Sequence, residues 1–181
     1  MLRPFYLLLF KIFGWKINGA MPVGMKKYII AVGPHTSNWD FPVGLAARSI
    51  LRIQDAQFLG KSELFVPPFG WIFRALGGHP VDRKSSHDVV EQVVQIFERH
   101  EKFILGLAPE GTRKKVDKLR TGFYFIAKGA GVPIVPVGFD FKRKEIVVGA
   151  PLYPKEVGKD METILAFYKT IHARNPELAL G

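Results

Sequence analysis

The sequence predicts a single-domain α/β fold, a mixed sheet covered by helices on both faces. Three observations carry that expectation. Short runs of apolar, β-favouring residues recur along the chain, and stretches of helical apolar periodicity separate them. No repeat, low-complexity tract or long linker interrupts the 181 residues, a length suited to one domain with one good core. Strands that alternate with helices build a sheet buried on both sides.

Taken in order, the chain opens on an apolar helix within residues 1–16. Phe5, Tyr6, Leu8, Leu9, Phe10, Ile12, Phe13 and Trp15 surround most of it, and only Arg3, Lys11 and Lys16 are charged. The uninterrupted run Pro4–Phe10 is far shorter than the ~20 residues that span a bilayer. No small-residue cleavage site follows it, which argues against a secretory signal. The helix therefore either packs on the core or lies in a membrane interface. Tyr28–Val32, closed by Gly33-Pro34, reads as a buried strand, and Val43–Ile53 as a helix. Gln57–Leu59 and Pro80–Val81 are short strands. Ser85 or Ser86 caps a helix running to His100, with Val89, Val90, Val93, Val94 and Phe97 on its apolar face. Phe103–Leu107 is a strand, Phe123–Gly129 a helix, Ile134–Gly138 and Ile146–Val148 strands, and Met161–Arg174 a closing helix.

Composition narrows the function classes. With no cysteine, a disulfide scaffold, a thiolate nucleophile and any Cys-based zinc site are excluded. The net charge of +10 calls for an anionic partner, and nucleic acid and an anionic membrane surface both qualify. A mean hydropathy of +0.09 is high for a freely soluble chain and leaves some apolar surface to be covered.

Two segments carry chemistry. His35-Thr36-Ser37-Asn38-Trp39-Asp40 sets an imidazole five residues before a carboxylate. Imidazole is the natural general base near neutral pH, and a carboxylate partner fixes its tautomer and stabilises the imidazolium. On a regular helix a spacing of five would turn the two side chains about 140° apart. The pair therefore requires His35 on the preceding loop and Asp40 in the first helical turn. Two cues compete for that start: Ser37-x-x-Asp40 resembles a capping box, whereas Pro42 suits the first helical position. The second segment is Pro109-Glu110-Gly111-Thr112-Arg113. Its glycine turn exposes backbone N–H groups, and Arg113 can grip a phosphate with two nitrogens. Lys114, Lys115, Lys118 and Arg120 extend the positive patch. Lys61 and Arg83 are single cations near strand ends, and Gly60-Lys61-Ser62 is no P-loop, because no glycine stands five residues ahead.

His35-x4-Asp40, Gly60-Lys61-x-Glu63-Leu64, Val81-Asp82-Arg83, Pro109-Glu110-Gly111-Thr112-Arg113 and Val132-Pro133-Ile134-Val135-Pro136-Val137 occur in this order. Together they resemble the motif blocks of the glycerolipid acyltransferases of the lysophosphatidate type, over residues 28–139. The resemblance implies a glycerol-3-phosphate acyltransferase-like α/β fold. It also implies a reaction that moves an acyl group from acyl-CoA or acyl carrier protein, as co-substrate, to a lysophospholipid hydroxyl, with no further cofactor. It makes His35 the base, Asp40 its orienting partner, and Lys61, Arg83 and Arg113 ligands of the acceptor phosphate. Glu110 and Gly111 would shape the acceptor pocket, with Thr112 and Lys115 beside them. Ala108 stands where the family usually has Phe, and Leu119-Arg120-Thr121-Gly122 replaces its usual Phe-Lys-Lys-Gly. Another lipid acceptor, such as lyso-ornithine lipid, is therefore the alternative.

The chemistry is coherent on its own terms. A thioester is already activated, so no covalent enzyme intermediate and no metal are required, and the five histidines show no ligand spacing. A backbone N–H near Gly111 or in the His35 loop would serve the oxyanion. A serine hydrolase lacks its Gly-x-Ser-x-Gly elbow here. A non-catalytic basic module for membrane or nucleic acid explains the charge but leaves both motifs as coincidences. The expectation is thus a peripheral, monotopic enzyme on the cytoplasmic face of a membrane, bound to anionic lipid and not to nucleic acid.

Overall fold

In the computed structural model, residues 2–75, 77–81 and 86–180 are described. In chain order the elements are α1 (Arg3–Phe13), β1 (Lys16–Asn18), β2 (Lys27–Val32), α2 (Asp40–Ile50), β3 (Ala56–Lys61), α3 (Gly70–Ala75) and β4 (Gly78–Val81). Then come α4 (Ser86–Arg99), β5 (Phe103–Leu107), α5 (Gly122–Ala130), β6 (Ile134–Asp140), β7 (Glu145–Val148) and α6 (Val157–Lys169), with 3₁₀ turns at Ser62–Phe65 and Pro176–Leu178. The strands form one sheet in the order β1-β7-β6-β2-β5-β3-β4. The pairing of β6 with β7 is antiparallel and all the others are parallel, so the sheet is mixed, as the sequence predicts.

Side chains of the central strands alternate between two cores. Ile29, Ala31, Phe103 and Leu105 pack with Val93 and Phe97 of α4, Phe123 and Ile126 of α5, and Ile164 and Tyr168 of α6. Tyr28, Ile30, Ile104, Val135 and Val137 pack on the other face with Phe10 of α1 and Ala46, Ala47 and Ile50 of α2. Burial on both faces explains why β2, β5 and β6 read as continuous apolar runs rather than as alternating ones.

Several boundaries differ from the sequence reading, each for a tertiary reason. The N-terminal helix stops at Phe13, closed by Gly14 in the left-handed region, and residues 16–18 become an edge strand beside β7. Helix α2 begins and ends three residues earlier than periodicity suggests. Its start falls between the two competing cues, with Asp40 as the first helical residue. At its end Arg52 adopts φ 58° and Ile53 N–H donates to Arg48 O, a left-handed closure made without glycine. Helix α6 starts at Val157, where Asp160 accepts the N–H groups of Lys155 and Glu156 together with the Tyr124 hydroxyl. It stops at Lys169 rather than Arg174 because His172 N–H and Nδ1 both turn onto Asp140 Oδ2. The proline-broken stretch 64–73 runs into α3, with Phe65 buried and Leu64, Val66, Phe69 and Trp71 exposed.

Candidate active site

β2 and β5 are neighbours, and the chain leaves them toward opposite faces, into α2 from one and α5 from the other. Such a switch point opens a crevice at the carboxyl ends of the strands, where α/β sheets hold ligands. Both motif segments emerge there.

The geometry required by the five-residue spacing is present. His35 lies on the loop after β2, Asp40 opens α2, and His35 Nδ1 meets Asp40 Oδ2 at 2.8 Å. Ser37 N–H donates to the same oxygen at 3.0 Å, so the carboxylate also closes the loop that carries the histidine. The Ser37 hydroxyl accepts from Trp39 N–H at 3.2 Å instead of capping Asp40. The Asp40 side chain is 3% exposed and that of His35 is 22% exposed. Asp40 Oδ1 is buried without a hydrogen-bond partner among the described residues. The first turn of α2, with its free N–H groups, favours a negative charge at this position. With Nδ1 committed to Asp40, the remaining ring nitrogen, Nε2, is the one free to take a proton.

The second segment is tied to the first. Glu110 is buried, and its Oε2 accepts His35 N–H at 2.7 Å. Burial pushes the Glu110 carboxyl above the ordinary range, with Asp40 adding to the rise, while the His35 N–H and imidazole pull partly back. Glu110 thus faces the base rather than an open pocket, which differs from the role the resemblance implies. Gly111 has φ 68°, a conformation that L side chains rarely adopt, and its N–H closes a turn onto Ala108 O. That N–H is therefore committed and is not a donor for an oxyanion. Thr112 Oγ1 accepts Lys114 N–H at 3.2 Å. Arg113 and Lys115 are exposed and, among the described residues, have no carboxylate partner. Lys61 is the last residue of β3 and its side chain lies outside the described residues, as does Arg83.

Two cavities flank the His35 loop. The larger, about 1580 Å³, has His35 at its edge, apolar walls that include Leu59, Val90, Leu107 and Phe123, and Arg113, Lys118 and Arg120 along its lining. The smaller, about 460 Å³, lies between Thr36–Trp39, Arg113–Lys115 and Asn175. Arg113 borders both. Residues that sequence reasoning missed support the loop from behind. Tyr168, buried, donates its hydroxyl to Ala31 O at 2.8 Å, and its ring lies against Gly33, where a Cβ would sit 3.0 Å from the ring. Burial, and then Glu110, raise the Tyr168 hydroxyl well above its ordinary value. Asn175 contacts Thr36 across 139 positions of sequence, a relation that carries no local signal.

An acyltransferase family model matches residues 16–140. The 1-acyl-sn-glycerol-3-phosphate acyltransferase of Escherichia coli (strain K12) is 30% identical over 134 residues, covering 70% of this chain and 53% of that protein. The enzyme of the same name from Streptococcus pneumoniae (strain ATCC BAA-255 / R6) is 31% identical over 135 residues, covering 69% and 49%. The chain therefore spans about half the length of the curated relatives it matches. The crystal structure of the 1-acyl-sn-glycerophosphate (LPA) acyltransferase PlsC from Thermotoga maritima superposes with a TM-score of 0.61 at 19% identity, over 93% of this chain and 77% of that one. At that identity the likeness is one of fold.

Proposed function

The chain belongs to the acyltransferase family, and on that premise we propose that it moves a fatty acyl group from an acyl thioester, acyl-CoA or acyl carrier protein, to the hydroxyl of a lysophospholipid. 1-Acyl-sn-glycerol-3-phosphate is the first acceptor to try, since it is the substrate in the names of the relatives. The observation that carries this proposal is the His35–Asp40 contact of 2.8 Å at the edge of a large groove with apolar walls and a cationic lining.

The chemistry then runs in two movements. His35 Nε2 takes the proton of the acceptor hydroxyl as its oxygen bonds to the thioester carbonyl carbon. Asp40, desolvated and aligned, stabilises the imidazolium that forms. The tetrahedral oxyanion collapses, the C–S bond breaks, and the departing thiolate recovers the proton from the imidazolium. One ester and one free thiol result. Arg113, with Lys115 beside it, holds the acceptor phosphate, because a planar guanidinium matches a phosphate with two parallel bonds. The apolar walls accommodate acyl chain.

Lipid substrates favour a site close to a bilayer. Among the described residues no helix is long and apolar enough to cross a membrane. Helix α1 nevertheless exposes Phe5, Leu8, Ile12 and Phe13, with Leu2 exposed just ahead of it, and the α3 region exposes Val66, Phe69 and Trp71. Apolar surface of that kind, on a chain of net charge +10, fits monotopic attachment to anionic lipid on the cytoplasmic face.

Purified protein mixed with an acyl-CoA and a panel of lysolipids tests the proposal, with free thiol and lipid product followed together. Thiol release matched by diacyl product supports transfer. Thiol release without acylated lipid identifies a hydrolase, and neither product identifies a binding module.

A further inference from the structure

The family match ends at residue 140, yet the chain beyond it returns to the His35 loop. After α6 the backbone is turned by Asp140, the last residue of β6, whose fully buried carboxylate accepts His172 N–H at 3.1 Å, His172 Nδ1 at 2.8 Å and Arg143 N–H at 2.7 Å. Phe141 N–H in turn donates to His172 O at 2.9 Å. These contacts, together with burial of Ile171 and Ala173, fix the segment to the end of the strand next to β2. Three residues past His172, the Asn175 side-chain amide donates to Thr36 O at 2.8 Å and Asn175 N–H donates to Thr36 Oγ1 at 3.2 Å. Thr36 is 3% exposed and directly follows the base.

We propose that Asn175 is a positioning residue for the acyl-transfer site, acting through Thr36 on His35, with Asp140 and His172 as its anchor on the sheet. The inference rests on His35 being the base. Asp40 orients the ring through Nδ1, and Glu110 holds the His35 N–H from the β5 side. Asp40 Oδ2 also accepts Ser37 N–H, and so holds the Thr36–Ser37 peptide by its N–H side. Asn175 holds the other side of the same peptide: its side-chain amide donates to the Thr36 carbonyl, while its backbone N–H donates to the Thr36 hydroxyl. A peptide held on one side only can rotate and carry the imidazole off the line to the acceptor oxygen. Misplacements on the scale of 1 Å are enough to lower a rate by up to ~10²-fold.

The test compares Asn175→Ala and Asn175→Asp with the parent chain. Asn175→Asp keeps size and polarity but sets a carboxylate against the Thr36 carbonyl, so it should not rescue. Both variants should lose roughly tenfold in kcat, with the KM of donor and acceptor changing less than about twofold. Added to Asp40→Ala, in which the ring and the Ser37 N–H have both lost their acceptor, Asn175→Ala should cost less than about twofold more. Amide hydrogen exchange gives a readout independent of turnover: Ser37–Asp40 should exchange at least about tenfold faster in both variants while the β2 amides hold. Unchanged exchange at Ser37–Asp40 overturns the proposal, whatever the enzyme's substrate. So does a kcat loss that adds in full to that of Asp40→Ala, or a lower melting temperature with kcat intact, since those mark a purely structural contact. If exchange responds as expected but no lysolipid is acylated by the parent protein, the tether stands and the acyl-transfer assignment falls.

Discussion

Replacing Asp40 by Asn isolates the charge of the carboxylate from its shape. Asp40 Oδ2 accepts both from His35 Nδ1 and from Ser37 N–H. An asparagine that points its carbonyl oxygen to the same place keeps both bonds, so the loop and the tautomer persist. What disappears is the attraction between carboxylate and imidazolium once His35 has taken a proton. Two unit charges about 4 Å apart at an effective dielectric of ~20 interact by ~4 kcal/mol. The partial exposure of His35, 22%, screens part of this, leaving roughly 3–4 kcal/mol. At ~1.4 kcal/mol per decade that is a loss of roughly 10²–10³ in kcat. The stability cost is separate. The new amide nitrogen takes the place of Oδ1, which is buried without a partner among the described residues, and an unsatisfied buried donor costs ~1–3 kcal/mol. Steady-state thiol release from acyl-CoA under saturating acceptor gives the first number, and thermal unfolding of the same preparation gives the second. A folded Asp40→Asn protein that retains more than about a tenth of the parent kcat would refute the electrostatic role, because the full charge would then be worth less than about 1.4 kcal/mol in the transition state.

Three further outcomes are expected. Arg113→Ala should raise the acceptor KM about tenfold or more with little change for the donor, and Arg113→Lys should recover little of it, since a point charge does not reproduce a two-nitrogen grip; a loss confined to the donor KM refutes the phosphate role. Glu110→Gln should alter the pH dependence of stability. The folded protein holds the Glu110 proton more tightly than the unfolded chain, so the parent loses stability as pH rises from the ordinary carboxyl range, ~4.3, through the raised folded value, and the loss is constant above it. The variant lacks that slope and still offers an oxygen to His35 N–H, so its melting temperature should gain on the parent's as pH rises from about 4 and then level off; a difference independent of pH refutes this account. Leu8→Ser with Ile12→Ser, at positions 55% and 65% exposed on α1, should reduce co-sedimentation with anionic phospholipid vesicles several-fold while leaving the fold intact; unchanged binding shows that α1 is not the attachment surface.

The sequence made the central sheet legible because parallel strands buried on both faces leave uninterrupted apolar runs. β5 was found at its observed limits for that reason, being bounded by charge on one side and Pro109 on the other. β1 was not legible: Lys-Ile-Asn at an edge carries no apolar pattern, and its strand character comes from pairing with β7, more than a hundred residues away. The ends of α2 and α6 were displaced because Arg52 and Asp140 terminate them by backbone geometry and by tertiary hydrogen bonds, neither of which has a local signature. Within the site, the spacing of His35 and Asp40 set the condition for their contact, a loop histidine and a first-turn aspartate, and the structure meets it. The turn of Glu110 toward His35 N–H did not, since a carboxylate on a glycine-bearing loop looks equally suited to face solvent.

The ladder between β2 and β5 has a consequence for how the chain tolerates rebuilding. Ala31 is registered with Leu107, His35 lies four positions past the first, and Glu110 lies three past the second. The reach between the two motif loops is therefore gauged by rungs of the sheet and not by the segment that joins them. A slip of one rung would shift the loops by ~3.3 Å and reverse the faces of every β2 side chain. Lengthening, shortening or cutting the connection at the exposed α3 turn leaves that gauge untouched. The molecule should accept an inserted peptide, or even assembly from two separately made fragments, between β3 and β4, while a single added residue between Ala31 and His35 disables it.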